Sequence, residues 1–136
     1  LDFAIQQHID HGGWCPAGRL AADGPLSPRY CLKETDASGY SQRTKRNVQD
    51  SDGTLILYRD TLEGGSLLTR RLALKLDKPF LTLDLAEAAM QHRMLCQHWL
   101  NSNGIVRVNI AGPSEGRCPG IYGHTLEFLM LLWAAS

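Results

Sequence analysis

The stretch DSDGTLILYRDTLEGGSLLTRRLALKL, residues 50–76, passes from an apolar run through two adjacent glycines into a helical pattern. Its apolar run, GTLILYR at 53–59, is continuous rather than alternating, which is typical of a strand buried on both faces of a parallel sheet. After the glycines, in SLLTRRLALKLDK at 66–78, the leucines return near one side of a helical period, so we predict a helix. Together these parts predict a strand that turns directly into a helix.

The same alternation continues towards the end of the chain and sets the fold class. PFLTLDL at 79–85 and IVRVNIAG at 105–112 predict two further buried strands, and each is followed by a helical pattern. Gly104 is suited to the residue after the first of these helices, and Pro119 to the first turn of the last. The strict alternation of strands and helices predicts an α/β fold with a mostly parallel, doubly wound sheet and helices on both faces. No linker or repeat divides the sequence, so we expect one domain over residues 1–136.

The first third of the chain is less regular. Residues 1–9 have a helical period, whereas residues 11–30 carry four glycines and three prolines, which predicts a long irregular loop. Long loops in compact domains tend to be functional or mobile. Ser41 is a candidate N-cap for a short helix over 42–49. The first helical pattern has no capping residue before it, so we expect a further segment to precede Leu1.

Charge and composition exclude several classes of function. Lysine plus arginine equal aspartate plus glutamate at 14 each, whereas dedicated nucleic-acid binders and membrane-surface proteins carry a basic excess. No apolar run approaches the ~18 residues needed to cross a bilayer. We therefore expect neither a nucleic-acid partner nor a membrane partner.

The cysteines and the apolar C-terminus bear on metals, location and assembly. Cys15, Cys31, Cys96 and Cys118 form no CxxC pair and match no zinc-type spacing. We interpret them as reduced thiols of a cytoplasmic protein and expect no metal site. The run FLMLLWAAS at 128–136 is either a buried helix end or a subunit contact, and the second interpretation predicts a homo-oligomer.

Open α/β sheets bind ligands beyond the carboxyl ends of their strands, where helix N-termini point into a crevice. The first such place is around Gly64 and Gly65, where backbone N–H groups can approach an anion and Ser66 and Thr69 can donate hydroxyls. The second is the Gly-rich loop 109–120. We expect a small anionic ligand, with a tight turn of small residues as the alternative. Neither a GxxxxGK[ST] nor a GxGxxG motif is present, so kinase-like and dehydrogenase functions lack support.

Other polar residues are candidates for binding or catalysis. Arg19, in the long loop, is a candidate clamp for a phosphate or carboxylate, and Arg43 faces either the crevice or solvent. Asp52 either caps a turn or accepts ribose hydroxyls. Glu63, directly before the two glycines, is the strongest candidate for a general base, with Asp52 and His124 behind it. No GxSxG elbow or Ser/His/Asp order stands out, so the sequence does not decide whether the protein is an enzyme.

Several motifs, in order, resemble one known family. They are HGGWCPAGRLAADGPL, YxxRTxxNVxDSDGTLIL, GGSLLT, NIAGPSE and PGIY, and they span nearly the whole chain. Together they resemble the family called "putative molybdenum carrier", a circularly permuted YpsA-like branch of the SLOG superfamily with Rossmann-like folds. The resemblance implies a site for a nucleotide or a nucleotide-derived ligand at the Gly-rich strand ends. It places ligand contacts at Gly64, Gly65, Ser66, Thr69, Arg43, Asn47, Asp52, Gly112, Pro113, Ser114, Cys15 and Arg19.

Two departures from the family bear on this expectation. Members that resemble this chain carry a Gly-rich SGGQTGxD segment, which would be a main phosphate loop, before the helix with which this chain opens. Related phosphoribohydrolases carry GGxGTxxE, whereas this chain reads GGSLLTRR, with Arg70 and Arg71 and no acid. The missing acid counts against N-glycosidic hydrolysis.

Three functions therefore stay open at the level of sequence. The first is a sensor or carrier of a nucleotide or nucleotide-derived ligand. The second is a hydrolase that processes a nucleotide, with Glu63, Asp52 or His124 in the acid/base role. The third is a carrier of molybdate or another oxyanion, because the same backbone cradle suits a tetrahedral dianion and Cys15 offers a soft ligand.

Overall fold

The computed structural model describes residues 1–21, 24–36 and 39–133, with the backbone alone at 20–21 and 24–25. Short strands dominate the first third of the chain, and strands and helices alternate in the rest. The helices are α1 Asp2–Gln6, α2 Tyr40–Gln49, α3 Gly64–Lys75, α4 Ala89–Ser102 and α5 Ile121–Trp133; the strands are β1 Trp14–Cys15, β2 Leu20–Ala21, β3 Gly24–Pro25, β4 Lys33–Glu34, β5 Gly53–Tyr58, β6 Phe80–Asp84 and β7 Val108–Ala111.

The main sheet consists of three parallel strands in the order β6–β5–β7. Thr54 of β5 lies opposite Phe80 of β6 on one side and Asn109 of β7 on the other. β5 is buried from Gly53 to Leu57, as predicted for a strand covered on both faces. α3 connects β5 to the neighbouring β6, and α4 then crosses over β5 to reach β7. The direction of winding therefore reverses between β5 and β7, and such a switch point opens a crevice at the carboxyl ends of the strands.

Helices cover both faces of the sheet, which confirms the predicted fold class. α3 packs on β5 and contacts α2, whereas α4 and α5 contact each other and α5 contacts α1. Successive strand residues point to opposite faces, so Leu55 and Leu57 join the core under α4 and α5, while Thr54 and Ile56 face α3. The same core contains Phe3, Cys96, Ile121, Phe128, Leu129 and Leu132. In the apolar C-terminal run, Phe128, Leu129 and Leu132 are buried, whereas Met130 is exposed. Residues 134–136 lie outside the described part, and the homo-oligomer stays a prediction.

The region before β5 differs most from its prediction as one long loop. β1 pairs with β4 in parallel, and β2 pairs with β3 as an antiparallel hairpin. Each of these strands has two residues, which are too few for a period of two to be recognised in the sequence. The backbone of Thr35 donates to the carbonyl of Cys15 at 2.9 Å, and Arg19 holds the chain between β3 and β4 through its guanidinium.

Two of the predicted helix starts need correction. α2 has Gly39 as its N-cap, with extended backbone and no capping side chain, so Ser41 lies inside the first turn and is not the cap. α5 begins at Ile121, so Pro119 precedes its first turn instead of lying within it. The end of α4 agrees with the prediction, because Gly104 follows it with a φ of +59°, a conformation that glycine adopts without strain.

A network of side chains ties α1 to α5 and makes the fold sensitive to acid. The carboxylate of Asp2 accepts hydrogen bonds from the hydroxyls of Tyr122 and Tyr30 and from Arg29. These contacts, with the Tyr122 bond the largest, hold the pKa of Asp2 below its usual value. A lowered carboxylate pKa stabilises the fold fully above the unfolded pKa of about 3.9, and this contribution is lost as pH falls through the folded value.

We therefore expect Asp2→Asn to lower the free energy of unfolding at neutral pH by about 1 kcal/mol and to reduce the loss of stability below about pH 4. Urea unfolding of both proteins between about pH 2 and pH 7 measures the effect. Asp52 and Glu115 also have lowered pKa values, so the difference between the two curves is the relevant quantity. Parallel curves over the whole range would contradict the prediction.

Candidate functional site

α3 begins at the carboxyl end of β5, inside the crevice at the switch point. It starts at Gly64, so Gly64 and Gly65 form its first turn instead of a turn before it. Glu63 is the N-cap residue, and its side chain makes no capping hydrogen bond. The first N–H groups of the helix thus lack a side-chain acceptor, and the N-terminus carries roughly half a positive charge. This end of α3 is therefore suited to an anion.

The two hydroxyl groups predicted beside the glycines differ in what they contact. Ser66 is 2% exposed, and its Oγ has no hydrogen-bond partner. Thr69 is also buried, but its hydroxyl donates to the carbonyl oxygen of Gly65 at 2.8 Å. An unsatisfied buried polar group costs about 1–3 kcal/mol, whereas a threonine bonded back to its own helix is satisfied. Of the two, Ser66 is the hydroxyl that has no hydrogen-bond partner within the protein.

Two arginines that the sequence did not single out lie at this crevice. Arg117, from the loop before α5, lies so close to Gly64 that a side chain at that position would collide with its Nη1. Arg59, from the loop before α3, donates to the carbonyl of Pro119 and lies beside Gly120. Their placement follows from the meeting of two loops at the switch point, which no local pattern along the chain signals.

The loop 112–120 is held by its own hydrogen bonds. Ser114 accepts backbone N–H groups within the loop through its carbonyl and its hydroxyl. Glu115 accepts the N–H groups of Gly120 and Tyr122, so a carboxylate of the chain itself caps α5. These two bonds, with that from Gly120 the larger, hold the pKa of Glu115 below its usual value. This capping role of Glu115 was not predicted from the sequence, although an acid near a helix start is a capping signal.

Gly112 and Pro113, predicted as ligand contacts, have structural reasons to be where they are. A methyl group on Gly112 would lie closer than 3.0 Å to the carbonyl oxygen of Leu57 in β5. The close approach of the two strand ends thus requires a residue without a side chain at this position. Pro113 is half-buried and has no N–H to offer a ligand.

Arg43, Asn47 and Cys15 lie where α2 packs against β1. Asn47 accepts the N–H of Trp14 at 2.7 Å and donates to its carbonyl at 3.3 Å, so its amide is engaged in the fold. Cys15 is buried. The guanidinium of Arg43 lies over the ring of Tyr40, its Nε is buried without a partner, and burial lowers its pKa. Arg43 therefore has a buried N–H without a partner, whereas the amide of Asn47 is engaged on both its oxygen and its nitrogen.

Asp52 and Arg19 are not brought to the start of α3. Asp52 precedes β5 and lies at its amino end, with roughly 17 Å of strand between it and the carboxyl end. Its carboxylate accepts the N–H groups of Val106 and Arg107, at 3.1 and 2.8 Å, so β7 begins later than predicted. Arg19 donates to four backbone carbonyls within residues 26–32. Asp52 therefore lies away from the start of α3, and the guanidinium of Arg19 is engaged within its own loop.

The three catalytic candidates are dispersed over the fold. Glu63 is exposed at the start of α3, and Asp52 lies at the opposite edge of the sheet. His124 lines a cleft of about 260 Å³ between α4 and α5, together with His92, Glu87 and Glu127. A general acid and a general base must lie within reach of one substrate. Asp52 is therefore separated from the other two candidates, of which Glu63 is the N-cap residue of α3 and His124 lies in the first turn of α5.

Within residues 1–21, 24–36 and 39–133, no group of three or more histidine, cysteine, aspartate or glutamate side chains could hold a metal ion. The four cysteines are free thiols. Over the same described part of the chain, no helix has both the length and the apolar character needed to cross a membrane.

Comparisons with known proteins agree with this architecture. Residues 1–133 match the model of the circularly permutated YpsA SLOG family. Among solved structures, the crystal structure of a "Putative molybdenum carrier protein" from Syntrophus aciditrophicus SB has a TM-score of 0.95 and 45% sequence identity. The alignment covers 98% of this chain and 85% of that chain. A comparison with curated proteins finds no match.

Proposed function

This chain belongs to the circularly permutated YpsA SLOG family, and from that premise we propose that it binds a nucleotide or a nucleotide-derived anion at the N-terminus of α3. One observation carries the proposal. In the first turn of α3, the hydroxyl of Ser66 is buried without a partner, beside backbone N–H groups that no side chain caps. A hydroxyl and N–H groups of this kind are the donors that proteins use for phosphate.

The charges around this turn support the same proposal. The guanidinium of Arg117 lies against Gly64, and within the described residues no carboxylate lies within ion-pair distance of it. A cation at the partly positive end of a helix is unfavourable unless an anion lies between them. A bound phosphate would accept from the backbone, from Ser66 and from Arg117 together, and charge-assisted hydrogen bonds are the stronger kind.

Binding of molybdate or a related oxyanion is the second candidate. It is favoured by the similarity to a crystal structure described as that of a molybdenum carrier protein. The same donors would suit a tetrahedral dianion. Cys15, the soft ligand considered from the sequence, is buried beside Arg43. A hydrolase would draw on Glu63 at the start of α3 or on His124 in the first turn of α5, since Asp52 lies at the opposite edge of the sheet.

A thermal-shift panel distinguishes these functions. The chain is heated with AMP, ADP, ATP, NAD, ADP-ribose, molybdate, tungstate, phosphate or sulfate, each in millimolar excess. A ligand at ~100 times its dissociation constant stabilises the folded state by about 2.7 kcal/mol, which raises the unfolding midpoint measurably. Shifts with nucleotides but not with oxyanions are the expected result. A shift with molybdate and tungstate alone would refute the nucleotide proposal in favour of the carrier.

Two buried serines provide a matched pair of variants. Ser66→Ala removes an unpartnered hydroxyl, so we expect unchanged or slightly raised stability and an affinity for the stabilising nucleotide about tenfold lower. Ser51→Ala removes a hydroxyl that donates to the carbonyl of Asn47 at 2.8 Å, at the opposite edge of the sheet. It should lower the free energy of unfolding by about 1 kcal/mol and leave the affinity unchanged.

Urea unfolding and titration calorimetry measure the two quantities for both variants. Equal affinities for wild type and Ser66→Ala would remove Ser66 from the site. A loss of stability in Ser66→Ala similar to that in Ser51→Ala would show that its hydroxyl has a partner in the fold.

A further inference from the structure

Gly64, the first residue of α3, has a side chain from a distant loop on the open side of its Cα. A methyl group added to Gly64 would collide with Nη1 of Arg117 and would lie 2.9 Å from its Cζ. At Gly65, the next residue of the same turn, an added methyl group would meet nothing within 4 Å. Of the two adjacent glycines, Gly64 is therefore the one whose missing side chain leaves the space that Arg117 occupies.

Polar contacts do not account for the position of Arg117. Within residues 1–21, 24–36 and 39–133, its guanidinium makes no hydrogen bond, and neither Glu63 nor Glu115 lies within ion-pair distance of it. Glu63 is exposed at the N-cap of α3, and Glu115 accepts backbone N–H groups at the start of α5. The guanidinium thus lies at the start of α3 because Gly64 leaves room for it there.

The collision at Gly64 differs in kind from the collision at Gly112. At Gly112, an added methyl group would meet the carbonyl oxygen of Leu57, which belongs to the backbone of the central strand. At Gly64, it would meet the far end of a long and exposed side chain. An exposed arginine without a partner regains rotamer freedom when it moves into water and loses little stability. A side chain at Gly64 would therefore displace Arg117 and leave the sheet as it is.

The backbone of Gly64 adds a separate effect, for which the chain offers a matched control. Gly64 has a φ of +56°, and Gly104, after α4, has a φ of +59°. Alanine is strained in this left-handed conformation whatever surrounds it. A methyl group on Gly104 would meet nothing within 4 Å, and Gly104 lies at the amino edge of the sheet, opposite the start of α3. Gly104→Ala thus reproduces the backbone strain of Gly64→Ala without displacing an arginine.

From these contacts we propose that Gly64 is a positioning residue, which holds open the place from which Arg117 reaches an anion beside Ser66. The inference rests on the proposed function and assigns Gly64 a role that acts through another side chain. A larger residue at this position would leave the hydroxyl of Ser66 and the first N–H groups of α3 in the site. It would remove the positive charge in front of them, and with it a charge-assisted hydrogen bond to the ligand.

A double-mutant cycle in the full chain, with AMP as the probe, tests this role. Titration calorimetry gives the AMP affinity of wild type, Gly64→Ala, Arg117→Ala and the double variant. We expect each single substitution to weaken binding about tenfold, because both remove the same hydrogen bond. The double variant should bind within about twofold of either single variant, since the contact can be lost only once. Gly104→Ala should bind AMP as wild type does.

Two further readouts separate loss of the charge from damage to the fold. The thermal midpoints of Gly64→Ala and Gly104→Ala should both fall by roughly 5 °C, because the two variants share one backbone strain. Added NaCl should weaken AMP binding less in Gly64→Ala than in wild type, because the exposed charge that salt screens is no longer at the site. A purely structural effect of the methyl group would leave the salt dependence as in wild type.

The outcomes that would contradict the positioning role are equally definite. Additive losses, about a hundredfold in the double variant, would show that the methyl group disturbs the site without the help of Arg117. Unchanged AMP affinity in either single variant would also overturn the role of Gly64. Each of these results leaves the proposed function intact. Absence of AMP binding to the wild-type chain would overturn both, because the donors at this site face a single phosphate group.

Discussion

Gly112→Ala is expected to lower the free energy of unfolding by about 3 kcal/mol, the upper end of the usual cost of overpacking. The added methyl group would lie closer than 3.0 Å to the carbonyl oxygen of Leu57. That oxygen belongs to the backbone of the central strand, which is paired with β6 on one side and β7 on the other. A flexible side chain could move away, but a strand fixed on both sides cannot do so without breaking sheet hydrogen bonds.

Urea and thermal unfolding followed by circular dichroism measure this cost, and the thermal midpoint should fall by roughly 10 °C. Gly116→Ala, in the same loop but with open space around the position, is the control and should change stability by less than about 0.5 kcal/mol. If Gly112→Ala stays within about 1 kcal/mol of wild type, the strand ends tolerate separation, and the close approach does not explain the glycine.

The sequence predicted the sheet and the α3, α4 and α5 helices because their signals are local and repeated. β5 has a continuous apolar run and is buried as expected, and the glycines after it lead into a helix at once. The first third of the chain has no such signal. Its two-residue strands depend on distant side chains, such as Asn47 binding the backbone of Trp14 across 33 positions. Side-chain contacts at that separation leave no periodic trace in the sequence.

The sequence indicated where a candidate site could lie, but only some of the residues that the structure brings to that place. Glycines at a strand-to-helix junction indicated the start of α3, and Ser66 is indeed buried there without a partner. Asp52 lies at the other end of β5, because a residue just before a strand and one just after it are separated by the whole length of that strand. The positions of the Arg59 and Arg117 side chains depend on how two loops meet. The strand order determines that meeting, and neither loop determines it alone.

Arg19→Ala should lower the free energy of unfolding by about 2–3 kcal/mol without a direct effect on ligand affinity. The guanidinium donates to the carbonyls of Ser27 and Tyr30 at 2.9 Å each, to that of Leu32 at 3.2 Å and to that of Leu26 at 3.4 Å. Four carbonyls of one loop thus share a single side chain. Without it the carbonyls of Leu26 and Leu32 need water, while those of Ser27 and Tyr30 keep only a backbone donor. The loop should therefore open before the main sheet unfolds.

Trypsin digestion and urea unfolding together test whether Arg19 stabilises its loop and has no part in ligand binding. In Arg19→Ala, cleavage after Arg29 or Lys33 should become faster at temperatures where the sheet is still folded, since local opening exposes the loop to protease.

Arg117→Ala is the matched comparison, because an exposed guanidinium without a carboxylate partner contributes little to stability. It should unfold like wild type and bind the nucleotide about tenfold more weakly. If Arg19→Ala instead kept its stability and lost binding, the sequence-based interpretation of Arg19 as a ligand clamp would be correct, and the carbonyl contacts would be incidental to the fold.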